Sequence, residues 1–535
     1  MLPWIRFYRL AVLLVLPTAL RINAQESPPP VAPSEETVTS TSIKSEKPPK
    51  IETDIASASA KEARVATHHS VTVQGKVLAY EATAGTLTLR DDMGKATASM
   101  FYVAYVLDHE KGDRRRPVTF CYNGGPGSAS LWLHLGSFGP LRVLTDTPEP
   151  THNAPFQLVT NTSTLLDKTD LVFLDAIGTG YSRALGDTKD EKFWGVDQDI
   201  DGFARAIMRY LTINDRWNSP KFLFGESYGT TRSAGLVYAL QKRNVQLNGV
   251  TILSSILNYG VRDAGFDRLY VGYLPTYAAA AWYHNKINPK PADLPAFLKE
   301  VRAFASGPYL LALDQGQNLP EAKETEIAQK LSSYTGLSVT FLKQNRLRVS
   351  LSRFRKELLR SESRILGRYD SRILAIDEDD AGENPEIDPS SVYNGGAYVA
   401  ALHDYLTAQL NYHSDLEYRL TGIDTNRKWD WHHKAPGATD GQIENSPDLA
   451  LDLAAALRGN PKLHLLSLNG WYDMATPFFE TEYDLSHLQL DPSLRGHVHL
   501  AYYPSGHMVY LNPEALVTMR AEVGRFYVLA APTAP

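Results

Sequence analysis

The stretch Lys221-Phe222-Leu223-Phe224-Gly225-Glu226-Ser227-Tyr228-Gly229-Thr230 constrains this chain more than any other. Three apolar residues predict a short buried strand. A G-x-S-x-G follows, and Thr230 to Arg243 then reads as a helix with Leu236, Val237 and Leu240 on one face. Strand, tight turn and helix form the setting that turns this pattern into a nucleophile elbow. The turn forces its central residue into a strained backbone, and the flanking glycines let strand and helix come close. Ser227 is then held at the carboxyl end of the strand, where a base can reach it. Because G-x-S-x-G also arises by chance in long chains, its meaning depends on whether a base, an acid and an oxyanion hole accompany it.

The flanking chain supplies the sheet that such an elbow needs. Ser70 to Tyr80, Gly85 to Arg90 and Ala98 to Leu107 alternate apolar and polar residues, as antiparallel strands do. Val118 to Tyr122, Leu171 to Leu174 and Gly249 to Ile256 are apolar runs typical of buried strands, and Asp197 to Leu211 is a helix with Phe203, Ile207 and Leu211 on one face. The pattern resumes with a helix at Pro447 to Leu457, strands at Leu463 to Leu468 and Val498 to Tyr503, and a closing helix at Pro513 to Tyr527. Strands alternating with helices predict an α/β fold: a mostly parallel central sheet with helices on both faces. Hydrophobic content of 43% is enough for a full core.

Between the two halves the alternation stops. We expect residues 67–261 and 441–535 to form the core and 262–440 a largely helical cap insertion. Within the insertion, the basic run Arg346 to Arg372 and the acidic run Asp377 to Glu383 read as solvated helix faces and a loop. Val392 to Tyr412 reads as a helix. Arg427 to His433 is aromatic and irregular, and its adjacent histidines lack the spacing of a metal site.

The first residues bear on compartment. Arg6 and Arg9, an apolar stretch from Leu10 to Leu20 and a small residue at Ala24 predict a secretory signal peptide over 1–24. The apolar stretch is too short for a comfortable membrane span. Residues 25–66, rich in Pro, Ser, Thr, Glu and Lys, read as a disordered linker. The one cysteine, Cys121, rules out an intramolecular disulfide, and an exported protein of this kind points to a bacterial periplasm or exterior. A net charge of −6 gives no reason to expect nucleic-acid binding.

Ser227, Asp473 and His507 each follow a predicted strand, where open α/β sheets bind ligands. Their chain order, Ser then Asp then His, is that of an α/β-hydrolase. A serine hydroxyl needs a base to become a nucleophile. A histidine takes the proton near neutral pH and returns it to the leaving group. A buried aspartate fixes the tautomer and stabilises the imidazolium. On this fold the oxyanion hole combines the N–H after the nucleophile, here Tyr228, with one from an early glycine-rich loop, here Asn123-Gly124-Gly125-Pro126-Gly127.

These motifs resemble the serine carboxypeptidase family, of the carboxypeptidase Y type. Five match in order: Asn123 to Gly127; Asp175 with Gly178-Thr179-Gly180-Tyr181-Ser182; Gly225 to Gly229; Gly470 through Asp473 to Pro477; and Gly506-His507-Met508. The resemblance covers roughly residues 100–260 and 445–525. It implies Ser227 as nucleophile, His507 as base and Asp473 as its orienting acid, with oxyanion donors on the Gly125 and Tyr228 backbones. It further implies that Asn123 and Glu226, with the Gly124 backbone, hold the C-terminal carboxylate of a peptide substrate. A proton shared between Glu226 and that carboxylate would convert repulsion into a strong hydrogen bond, so binding should be best at acidic pH. The sequence departs from the family at Cys121-Tyr122, at Ser128, where a disulfide cysteine is usual, and at Ala176-Ile177.

The expected activity is an exported exopeptidase working through an acyl-enzyme. No metal or cofactor is implied, and peptides are the expected partners. The same triad also suits a serine esterase or acyltransferase, since a fold does not set the acceptor. A catalytically dead secreted binding protein is the third reading, opposed by the intact triad.

Overall fold

The computed structural model describes residues 57–108, 116–263, 265–439 and 442–531. The expected signal peptide and most of the expected linker lie outside them. The end of that linker is ordered, contrary to expectation. Arg64–Val73 forms the first strand, β1, and just before it Glu62 takes a paired 2.8 Å contact from Arg209. The low apolar content that suggested disorder is offset here by strand pairing.

Nine strands make the central sheet: β1, β2 (Lys76–Arg90), β3 (Ala96–Leu107), β4 (Val118–Tyr122), β5 (Asp170–Leu174), β6 (Lys221–Glu226), β7 (Gly249–Leu253), β8 (His464–Gly470) and β9 (Val498–Tyr503). Their spatial order is β1-β2-β3-β5-β4-β6-β7-β8-β9, and a two-residue strand, Arg183–Ala184, pairs with β3 beside them. The stretch Ser70 to Tyr80 is not one strand. It folds back at Gln74-Gly75, both with positive φ (50° and 79°), so β1 and β2 form a tight hairpin. β1, β2, β3 and β5 pair antiparallel. From β5 through β4 to β9 every pairing is parallel, and β4, β5, β6 and β7 are buried along their whole length. This is the expected mostly parallel α/β-hydrolase sheet.

Helices cover both faces. Helices α1 (Val196–Ile213), α2 (Tyr228–Lys242) and α5 (Ala450–Gly459) pack on one face, with Phe203, Leu236 and Leu453 fully buried. The other face is covered by α7 (Pro513–Ala530) and by α4 (Pro389–Asp404). The placement of α4 differs from the expected cap. Tyr398 and Leu402 join the sheet's own core, and just beyond the helix the Tyr405 hydroxyl sits 3.0 Å from that of Tyr105 on β3. The earlier part of the insertion, from α3 (Arg268–Tyr283) onward, has a separate core that includes Tyr472, Met474 and Phe478. Among the described residues no helix is long and apolar enough to cross a membrane.

The charged runs of the insertion are solvent-exposed for the most part, as expected, at Glu378, Asp379, Asp380 and Glu383 among others, yet they hold a buried pair. They pair with each other. Lys356 is 3% exposed and ion-pairs with Asp377, itself 2% exposed. Arg353 binds Glu383 at 2.8 Å, and Ser363 donates to Asp380 at 2.7 Å. Burying the Lys356 and Asp377 charges is tolerable only because each finds a partner.

Candidate active site

β6 delivers Ser227 and α2 begins immediately after it. Ser227 has φ 61° and ψ −129°, a conformation that costs a non-glycine residue about 1–3 kcal/mol. Tight packing on either side holds it there. A Cβ on Gly225 would lie 2.1 Å from the Gly229 carbonyl oxygen, and one on Gly124 would lie 2.4 Å from the Tyr228 nitrogen. The glycine-rich loop after β4 therefore runs directly against the elbow. Tyr228 opens α2, so its N–H is one of the first-turn donors without an intrahelical acceptor, at the positive end of the helix dipole. Gly125, in the facing loop, has φ +106°.

Asp473 follows β8 and His507 follows β9. His507 turns Nδ1 to Asp473 Oδ2 at 2.8 Å, which leaves Nε2 for the cavity that both His507 and Ser227 line. Asp473 is held in turn. Its Oδ1 accepts N–H bonds from Ala475 (2.8 Å) and Thr476 (3.0 Å). Burial works against charge on His507, but Asp473 and the nearby Glu226 outweigh it and raise its pKa above the ordinary value.

Glu226 is buried in the wall of the same cavity. Burial, opposed chiefly by His507, pushes its carboxyl up to about 7. Its Oε2 makes no well-aligned hydrogen bond among the described residues, although the Tyr510 hydroxyl and the Asn123 amide lie beside it and favour its charged form. Asn123 stands nearby. Its Oδ1 accepts the Leu133 N–H at 2.8 Å, so its amide NH₂ is the end left for a ligand. The cavity, of about 390 Å³, thus brings Asn123, Gly124, Gly125, Glu226, Ser227 and His507 together. Walls come from both core and insertion: Trp132 and Met508 on one side of that division, Tyr369, Val392 and Leu420 on the other.

Comparison with known proteins now bears on the site. The family model described as serine carboxypeptidase matches residues 74–495. The chain belongs to the serine carboxypeptidase family. Pheromone-processing carboxypeptidase KEX1 of Saccharomyces cerevisiae is 30% identical over 139 residues, which cover 24% of this chain and 17% of that protein. The crystal structure of Kex1(delta)p, a prohormone-processing carboxypeptidase from Saccharomyces cerevisiae, aligns with 84% of this chain and 91% of its own, at 16% identity and a TM-score of 0.51. That likeness speaks to the fold. His507 lies beyond the matched residues, so its place beside Asp473 rests on the geometry.

Several residues that brace this candidate site were given no role in the sequence reading. Thr476 Oγ1 lies 2.7 Å from Asp473 Oδ2, 2.9 Å from the Ser254 carbonyl oxygen and 3.1 Å from His507 Nδ1. Ser254, at the end of β7, donates from its hydroxyl to the His507 carbonyl at 2.7 Å. Arg232 on α2 is fully buried, binds Asp199 at 2.6 Å and donates to the Asn123 carbonyl at 2.7 Å. Asp175, from the second motif, accepts the Ser130 N–H at 2.7 Å and so anchors the loop that follows Gly127. The visible signals among these were an arginine in the apolar interior of a helix and the placing of Asp175 and Thr476 inside two of the matching motifs.

The histidine pair is engaged by carboxylates. His433 sits between Asp197 (2.6 Å) and Asp452 (2.9 Å), whose charges overcome burial and push it up to about 10. Among the described residues no cluster of His, Cys, Asp or Glu has the arrangement of a metal site. Cys121, the departure before Asn123, is a buried free thiol on β4.

Proposed function

We propose that the protein is a serine-type carboxypeptidase that releases C-terminal residues from peptides, and that it acts after export. The observation that carries this reading is Glu226. A buried carboxyl with an oxygen that makes no well-aligned hydrogen bond, raised to about 7, shares a cavity with Asn123 and Ser227. A protonated carboxyl can donate to a substrate carboxylate, and the Asn123 amide can donate to the same group. An endopeptidase or a simple esterase has no use for such a pair.

In the reaction, His507 Nε2 takes the Ser227 hydroxyl proton as Oγ attacks the carbonyl carbon of the last peptide bond. The N–H groups of Gly125 and Tyr228 donate to the oxygen on which negative charge develops. Asp473 holds the imidazolium through Nδ1. Collapse of the tetrahedral intermediate breaks the C–N bond, His507 returns its proton to the leaving amine, and the free amino acid departs. Water, deprotonated by His507, then hydrolyses the acyl-enzyme. The expected signal peptide over 1–24 and the reading of 262–440 as an insertion between two core segments belong to the same proposal.

The test is release of free amino acid from N-acylated dipeptides, with a Ser227→Ala control. Release by the wild-type enzyme and none by the variant supports the reading. Turnover confined to ester substrates would move the protein to the esterase or acyltransferase class.

A further inference from the structure

One short segment of the insertion, residues 368–372, touches both catalytic loops. Its contacts link the two loops that carry Asp473 and His507. The Tyr369 carbonyl accepts the His507 backbone N–H at 2.6 Å, and the Arg368 carbonyl accepts that of Met474 at 3.1 Å. Ser371 donates its N–H to the Tyr472 carbonyl at 3.0 Å. Arg372, paired with Asp370 at 2.6 Å, donates to the Pro504 carbonyl at 2.9 Å. The approach is so close that a Cβ on Gly506 would lie 2.3 Å from the Tyr369 carbonyl oxygen.

The Tyr369 ring completes the arrangement. It rests against the His507 imidazole with centroids 5.1 Å apart and planes inclined by 50°. The Arg368 guanidinium lies 5.3 Å from the centroid of the same ring. The imidazole is therefore fixed by Asp473 at Nδ1, by two backbone hydrogen bonds (through Tyr369 and Ser254), and by an aromatic face. Of these, the ring is the contact that bears on imidazole tilt, and tilt aims Nε2.

We propose that Tyr369, carried by the insertion, is a positioning residue for His507, acting through its ring and not its hydroxyl. The proposal rests on the reading of His507 as the base for Ser227. It gives the insertion a part in the chemistry in addition to its walls around the cavity. A small loss of aim suffices for a large effect, because misplacement of a catalytic group by about 1 Å can cost on the order of 10²-fold.

The experiment compares wild type, Tyr369→Phe and Tyr369→Leu, the last keeping apolar bulk without a flat ring. Two readouts are taken: the rate of covalent labelling by a fluorophosphonate, and kcat and KM on an N-acylated dipeptide. Tyr369→Phe should stay within about twofold of wild type. Tyr369→Leu should lose roughly 10- to 100-fold in labelling rate and in kcat, with KM nearly unchanged. Should the Leu variant fail to fold, Tyr369→Met replaces it. A bulky aliphatic variant with normal labelling overturns the proposal, as does a loss confined to KM, which would make Tyr369 a pocket wall only. Equal damage in the Phe variant would assign the effect to the hydroxyl and overturn it too. Absence of labelling in the wild type would strike the reading of Ser227 and His507 instead, so the two failures are distinguishable.

Discussion

The carboxylate clamp predicts a specific pH dependence, and Glu226→Gln tests it. Burial raises Glu226 to about 7, so its protonated form dominates at pH 5 and falls to about one molecule in eleven at pH 8. If only the protonated form holds a substrate carboxylate, KM for a free-acid peptide should rise about 11-fold between those pH values, about 1.4 kcal/mol of lost binding. The corresponding C-terminal amide has no carboxylate to repel and should show no such rise. Gln is neutral throughout and donates from its amide, so Glu226→Gln should keep peptide binding and abolish the alkaline rise. A second effect follows from the same contact. Ionised Glu226 helps to raise His507, so its protonation favours the neutral base as well as the clamp. In Glu226→Gln the acid limb of kcat/KM should therefore move to lower pH. The assay is steady-state kinetics on paired acid and amide substrates from pH 4 to pH 8. An alkaline rise in KM that persists in Glu226→Gln, or that is equal for acid and amide in the wild type, would refute the reasoning.

Three other predictions follow. Ser227→Ala should not label with a fluorophosphonate and should retain only on the order of 10³- to 10⁴-fold acceleration over water, measured by peptide hydrolysis. Lys356→Met should leave the Asp377 carboxylate without its cation, holding only backbone N–H groups, and cost about 1–3 kcal/mol in urea unfolding, whereas a solvated lysine would cost almost nothing. Stability should fall from mildly acidic to alkaline pH. Burial and then Glu480 push Asp484 up to about 8, and burial pushes Asp448 up to about 6. Between the unfolded values and these, the folded state holds protons that the unfolded chain has released, so stability is lost as pH rises through that window. His464, lowered to about 4 by burial and by neighbouring histidines, acts in the opposite sense below about pH 6.5 and sets the acid side of the optimum. Asp484→Asn should flatten the decline in Tm between pH 5 and pH 8, and an unchanged slope would count against Asp484 as a source.

What was legible in the sequence is what local order dictates. The elbow could be read because strand, G-x-S-x-G and helix are contiguous, and Asp473 and His507 because each follows its own strand. The reading of Arg346 to Arg372 and Asp377 to Glu383 as solvated holds for most of the acidic run and fails at Lys356 and the Asp377 side chain, which are buried against each other. Their meaning lies in the pairing of Lys356 with Asp377 and Arg353 with Glu383, and a pattern rule applied to one run at a time does not register the other. The helix over Pro389–Asp404 shows the same limit. Its apolar face is satisfied equally by a cap or by the sheet, and Tyr105 on β3, some 300 residues away in the chain, decides for the sheet. Ser254 and Tyr369 carry no motif of their own, and Thr476 sits in one that does not give its role, because these roles come from being carried to one point by separate strands and by the insertion. The family match ends at residue 495, before His507. The position of His507 is secured by contacts to Asp473, Ser254 and Tyr369, which lie in three different parts of the chain. Change in the insertion therefore reaches the base directly, and the insertion is under the same geometric constraint as the core it interrupts.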